Sequence, residues 1–146
     1  MKKALSFGFI ICLLGMKVHA QNGKITVNVT NFKSQKGLVL CCLNNKEDGF
    51  PGKQNKALSC QKIGIVGSKA QFTFLNLVPG TYALAAYHDE NNDGTLNTNF
   101  LGIPKEGVGI SNNKMRNFSS PKYNDAKFVV PANGEIKMEI KLKNYN

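Results

Sequence analysis

From Tyr87 to Asn97 the chain reads Tyr-His-Asp-Glu-Asn-Asn-Asp-Gly-Thr-Leu-Asn, with an oxygen-bearing side chain at every second position from Asp89 and a glycine at 94. Asp89, Asn91, Asp93 and Gly94 match the opening half of a D-x-[DN]-x-[DN]-G loop, whose alternation turns successive ligands toward one hard cation while glycine permits the sharp bend. The cation such a set would hold is Ca2+. Asp89, Asn91, Asp93 and the Thr95 carbonyl would supply oxygens, with Asn97 acting through water and Glu106 or Asp125 completing the sphere. The match stops halfway. The twelfth position, where a helix-loop-helix calcium site carries a bidentate Glu, is Phe100, and no amphipathic helix pattern flanks the loop. The alternative for the same residues is a polar turn closed by Asx hydrogen bonds.

His88 could work with Asp89, Glu106 or Asp125 as acid and base groups, which requires hydrogen-bond reach to a substrate proton. The chain has no G-x-S-x-G, no H-E-x-x-H and no repeated metal-ligand signature. The expectation is therefore a protein that is not an enzyme. His88, Asn99, Ser111, Asn112 and Asp125 remain as further binding candidates. Asn99 and Asn112 also suit turns, because asparagine tolerates left-handed backbone.

These residues need a scaffold, and the scaffold reads as strands. Ile25, Val27 and Val29 alternate with polar residues, and Leu38 to Leu43 is an unbroken apolar run suited to a strand covered on both faces. Further strands are expected over Leu58 to Val66, around Phe72 and Phe74, from Tyr82 to His88, and from Lys127 to Val130. In a final strand after these, Ile136, Met138, Ile140 and Leu142 oppose Lys137, Glu139, Lys141 and Lys143. Turn residues separate the runs. The pattern predicts an all-β fold, a single antiparallel β-sandwich of about seven strands, with no convincing helix. Asp89 to Asp125 interrupts the rhythm. Connections longer than about 15 residues in a compact domain tend to be functional or else disordered, and apolar residues such as Leu101, Ile103 and Ile110 suggest a loop packed on the sandwich.

Lys2 and Lys3, the apolar run Ala4 to Leu14, and Val18-His19-Ala20 form a signal peptide pattern with cleavage before Gln21. The run is shorter than the roughly 20 residues of a spanning helix, so no transmembrane segment is expected after cleavage. The domain boundaries are then 1–20 for the signal and 21–146 for one sandwich domain in the periplasm or outside the cell. Formal charge is +10, and losing Lys2, Lys3 and Lys17 leaves 10 − 3 = +7. Arg116 is the sole arginine and the lysines are scattered, without the clustered cations and stacking aromatics of a nucleic-acid site. Cys41, Cys42 and Cys60 survive cleavage. An oxidising compartment favours a disulfide. Val39, Cys41 and Leu43 share one strand face, and Ile63 and Ile65 share a face that excludes Cys60, which favours Cys42–Cys60 with Cys41 in the core; three buried or reduced thiols are the alternative.

The run Phe74-x-x-Leu77-x-Pro79-Gly80-x-Tyr82-x-Leu84 resembles the strand-turn-strand signature of transthyretin-like and carboxypeptidase-regulatory-like sandwiches. The longer blocks Pro79 to Asn91, Asn99 to Gly109 and Ser111 to Asn113 resemble the secreted bacterial family catalogued as domain of unknown function 2141, over essentially the whole mature chain. That resemblance implies an exported sandwich and transfers no catalytic residue. The expected function is a non-catalytic binding or accessory domain with Ca2+ as a candidate brace for the 89–106 loop. The runner-up is an envelope-associated interaction module presenting a β-edge or its lysine-rich face to an envelope or extracellular partner.

Overall fold

The computed structural model describes residues 22–117 and 119–145. The expected signal peptide and its expected cleavage point, like Phe118, lie outside the described residues. Among the described residues there are eight strands in two sheets: β1 Gly23–Thr30, β2 Leu38–Asn44, β3 Ser59–Ile63, β4 Ala70–Leu77, β5 Gly80–Asp89, β6 Val108–Ile110, β7 Phe128–Val130 and β8 Glu135–Lys141. A three-stranded sheet runs β4-β1-β8, and a five-stranded sheet runs β3-β2-β5-β6 with β7 on the same strand, β5. The all-β fold class stands. Two details differ from expectation: β6 adds a strand, and β1 and β8 pair in parallel, with Ile25 opposite Ile136 and Val29 opposite Ile140. No helix among the described residues is long and apolar enough to cross a membrane.

Strand alternation builds the core between the sheets. Ile25, Val27 and Val29 from one layer meet Val39, Cys41, Leu43 and Leu84 from the other, all without solvent exposure, and burial of each large side chain stabilises by about 1.5–3 kcal/mol. Tyr82 fixes the turn that launches β5 by donating its hydroxyl to the Val78 carbonyl at 2.6 Å. At the other end of β5, Gly37 has φ +76, and a Cβ there would meet Asp89 O at 2.1 Å. Only glycine fits that approach.

The five-stranded sheet is covered on its second face too. Cys42 and Cys60 are register partners on β2 and β3 and are joined by a disulfide, with Cα atoms 4.1 Å apart. Cys41 is a buried free thiol, as its alternation required. On that outer face Ala83 and Ile110 pack with Tyr123 and Ala126 of a short helical turn, α1 Tyr123–Ala126, as a second apolar cluster. The long segment after β5 therefore folds back over the sheet. β6 anchors it, pairing Ala85 with Ile110 and Tyr87 with Val108.

Candidate functional site

β5 ends at Asp89, whose side chain points to the outer face and is fully buried. Its Oδ1 accepts from Asp93 N at 3.1 Å, and its Oδ2 accepts from Gly94 N at 3.0 Å and from Lys62 Nζ at 2.9 Å. Burial opposes ionisation here, but the Lys62 ammonium and the Gly94 and Asp93 N–H groups outweigh it and hold the carboxyl below its ordinary range. The same pairing raises the Lys62 ammonium.

Asp93 closes the next turn. Its Oδ1 accepts from Thr95 N at 2.8 Å and Thr95 Oγ1 at 2.9 Å, while its Oδ2 accepts from Asn91 Nδ2 at 2.8 Å and Asn97 Nδ2 at 2.9 Å. The Asn97 amide, then the Thr95 N–H, the Asn91 amide and the Thr95 hydroxyl, hold this carboxyl well below the carboxylate range. Glu106 returns to the same loop from the other side, accepting from Glu90 N at 3.1 Å and Asn97 N at 2.9 Å, with 5 % of its surface exposed.

Asp89, Asn91, Asp93, Thr95, Asn97 and Glu106 thus belong to one hydrogen-bonded network. Within it the carboxylates of Asp89 and Glu106 accept backbone N–H groups, and only Asp93 meets two amide side chains at its free edge. No three His, Cys, Asp or Glu side chains among the described residues stand close enough together to hold a metal ion.

The other candidates lie elsewhere. His88 alternates to the inner face, fully buried, edge-on to Phe32 with ring centroids 5.1 Å apart. Its Nε2 lies 2.6 Å from the Lys36 carbonyl oxygen, so the proton sits on Nε2. Its Nδ1 has no hydrogen-bond partner among the described residues, and Glu90 Oε1 stands 3.8 Å away. His88 and Asp89 consequently face opposite sides of β5. Asn99 accepts from Leu101 N and Ile103 N at 2.9 and 3.0 Å and tightens the loop tip. Ser111, fully buried, accepts from Leu84 N at 3.0 Å and donates to Ala126 O at 2.5 Å, tying α1 to β5. Asn112 donates to Asp125 O and Lys127 O, and Asp125 accepts from Arg116 Nε at 2.8 Å. The Arg116 guanidinium holds the Asp125 carboxyl low.

Between these two networks the folded-back segment leaves a concavity of about 570 Å3 over the outer face of the five-stranded sheet. Leu40, Ala85, Tyr87, Val108 and Ile110 are among its lining residues, together with the 101–104 tip. Among the described residues, no charged side chain lines it. Leu40, Ala85, Val108 and Ile110 carry no oxygen ligand and so lack the pattern that marks the 89–97 loop in the sequence. The signal that marks them is the apolar character of both faces of β2 and β5, which leaves an outer face needing cover.

An all-β sandwich whose one long loop walls an apolar concavity belongs to a class defined by its architecture, and sequence comparison narrows the class. Residues 27–139 match the bacterial family described as "Uncharacterized protein conserved in bacteria (DUF2141)", and the chain belongs to that family. Neither a curated protein nor a solved structure matches it.

Proposed function

We propose that this chain is an exported, non-catalytic binding module of the bacterial envelope or its surroundings, with its ligand seat in the concavity on the outer face of the five-stranded sheet. The observation that carries this reading is the concavity itself, about 570 Å3 and, among the described residues, lined by no charged side chain. Small-molecule sites are apolar hollows of roughly 300–1,000 Å3 with few polar groups. Export is supported by the signal pattern at Met1 to Ala20 and by the disulfide, which belongs to oxidising compartments.

The test is titration with N-phenyl-1-naphthylamine, a neutral fluorophore that brightens in apolar surroundings. Saturable binding is expected, weakened by Ala85→Phe, which fills the floor, and by Leu101→Asp at the exposed lip. No saturation, together with co-purification of an envelope protein, would favour the interaction-module reading instead.

Calcium enters as a brace of the wall. This part of the reading is supported by Asp93 Oδ2 and the amide ends of Asn91 and Asn97, which meet one another at 2.8–3.0 Å. Turning both amides would aim three oxygens at one point, a spacing suited to ligands about 2.3–2.6 Å from Ca2+. Binding should raise the melting temperature once calcium exceeds its dissociation constant, and Asp93→Ala should abolish the rise. Equal melting temperatures for both proteins from zero to about 10 mM calcium, the range that covers weak extracellular sites, would exclude it.

A further inference from the structure

We infer that the concavity takes a single-chain anionic amphiphile, its hydrocarbon chain lying on the outer faces of β2, β5 and β6 and its carboxylate at Lys143; the inference rests on the binding-module reading above. The floor suits a chain. Leu40, Ala85, Val108 and Ile110 present hydrocarbon, and the hydroxyl there is already used, since Tyr87 Oη donates to Gly94 O at 3.0 Å and accepts from Gln54 Nε2 at 3.3 Å. The lip is apolar as well: Phe100 is 95 % and Leu101 68 % exposed on the tip held by Asn99. A ligand chain crossing that lip would bury surface that water now covers.

The head group follows from the charge left over at the mouth. Lys143 Nζ donates to Asn117 Oδ1 at 2.6 Å and stands 5.1 Å from the Tyr145 ring centroid, and both Asn117 and Tyr145 line the concavity. Lys53, Lys105, Lys114 and Lys122 are exposed and adjoin the lining residues Gly52, Pro104, Met115 and Pro121 in sequence. Among the described residues none of these five lysines forms a salt bridge, whereas Asp48 is matched by Lys56 and Asp125 by Arg116. Glu106, between the lining residues Pro104 and Val108, accepts only backbone N–H groups, so five lysines without a salt bridge stand against one such carboxylate and the balance is positive. A carboxylate gains from it, an alcohol does not, and a quaternary ammonium is repelled.

Competition against N-phenyl-1-naphthylamine at low ionic strength tests this, with every amphiphile below its micellar concentration. Across octanoate, decanoate and dodecanoate, affinity should tighten about fourfold per methylene, the equivalent of ~0.8 kcal/mol. Dodecanoate should bind about fivefold or more tightly than dodecanol, an advantage reduced by about 0.5 M salt. Lys143→Gln should shrink that advantage and leave the affinity for the neutral fluorophore unchanged. Equal binding of dodecanoate and dodecanol, comparable binding of dodecyltrimethylammonium, or one affinity across the chain series would overturn the inference while leaving the concavity as a binding site. Failure of the fluorophore to bind the wild type would remove both.

Discussion

Asp89 decides whether the loop after β5 holds its shape. It is a buried carboxylate that accepts two backbone N–H groups and a lysine, and hydrogen bonds to charged groups contribute about 1.5–3 kcal/mol each way they are measured. Asp89→Ala is therefore expected to lower stability by about 2–3 kcal/mol, read as a shifted urea midpoint, while Asp93→Ala at the exposed edge costs less. Equal effects would mean that burial of Asp89 is unimportant. The sequence placed Asp89, Asn91, Asp93, Asn97 and Glu106 in one neighbourhood, and the fold brings them together. What the carboxylates face was not legible. Asp and Asn side chains that close turns on their own backbone have the same types and spacing as those that hold a cation, so the Asp89 and Glu106 contacts to N–H groups at positions 90, 93, 94 and 97 emerge only in three dimensions.

β6 shows why short elements escape a reading by periodicity: three residues cannot display a period of two, and its middle residue is glycine. That glycine is where the sandwich closes. β6 exchanges backbone hydrogen bonds between Val108 and Lys143, just past β8, and a Cβ at Gly109 would stand 2.6 Å from Ile140 Cγ2 and 3.3 Å from Lys141 O. Gly109→Val should cost about 1–3 kcal/mol through overpacking, measured by chemical denaturation, and an unchanged midpoint would show that the edge can relax. The long strands were legible because each keeps its apolar set on a fixed face. The same alternation selected Cys42 and Cys60, since a covalent bridge across neighbouring strands needs register partners on one face. Their sequence separation of 18 corresponds to about 3 kcal/mol on the loop-entropy account. Reduction should lower the melting temperature by roughly 10 °C; no change would put the entropy cost of that loop elsewhere, in contacts between β2 and β3.

At the scale of the whole molecule, a parallel β1–β8 pairing was beyond the reach of pattern, because strand direction leaves no mark on which residues alternate. Charge balance was legible, and it governs the response to acid. Nineteen basic residues face nine acidic ones, and Asp48, Asp89, Asp93, Asp125 and Glu135 all have carboxyls held below their ordinary values, each with lysine, arginine or loop N–H and amide donors as partners. A carboxyl with a lowered folded-state pKa adds stability above its unfolded value, here 3.8 for Asp and 4.5 for Glu, and that contribution is lost as pH falls through the lower folded value. Each protonation also removes a negative charge from an already cationic surface, so self-repulsion grows as the pairs break. The urea midpoint should hold steady from about pH 7 to pH 5 and fall steeply below about pH 4, with Asp89→Asn flattening the acid limb. Added salt should recover part of the loss by screening the excess lysines. A midpoint that already falls between pH 7 and pH 5 would assign control to a group other than these five carboxylates.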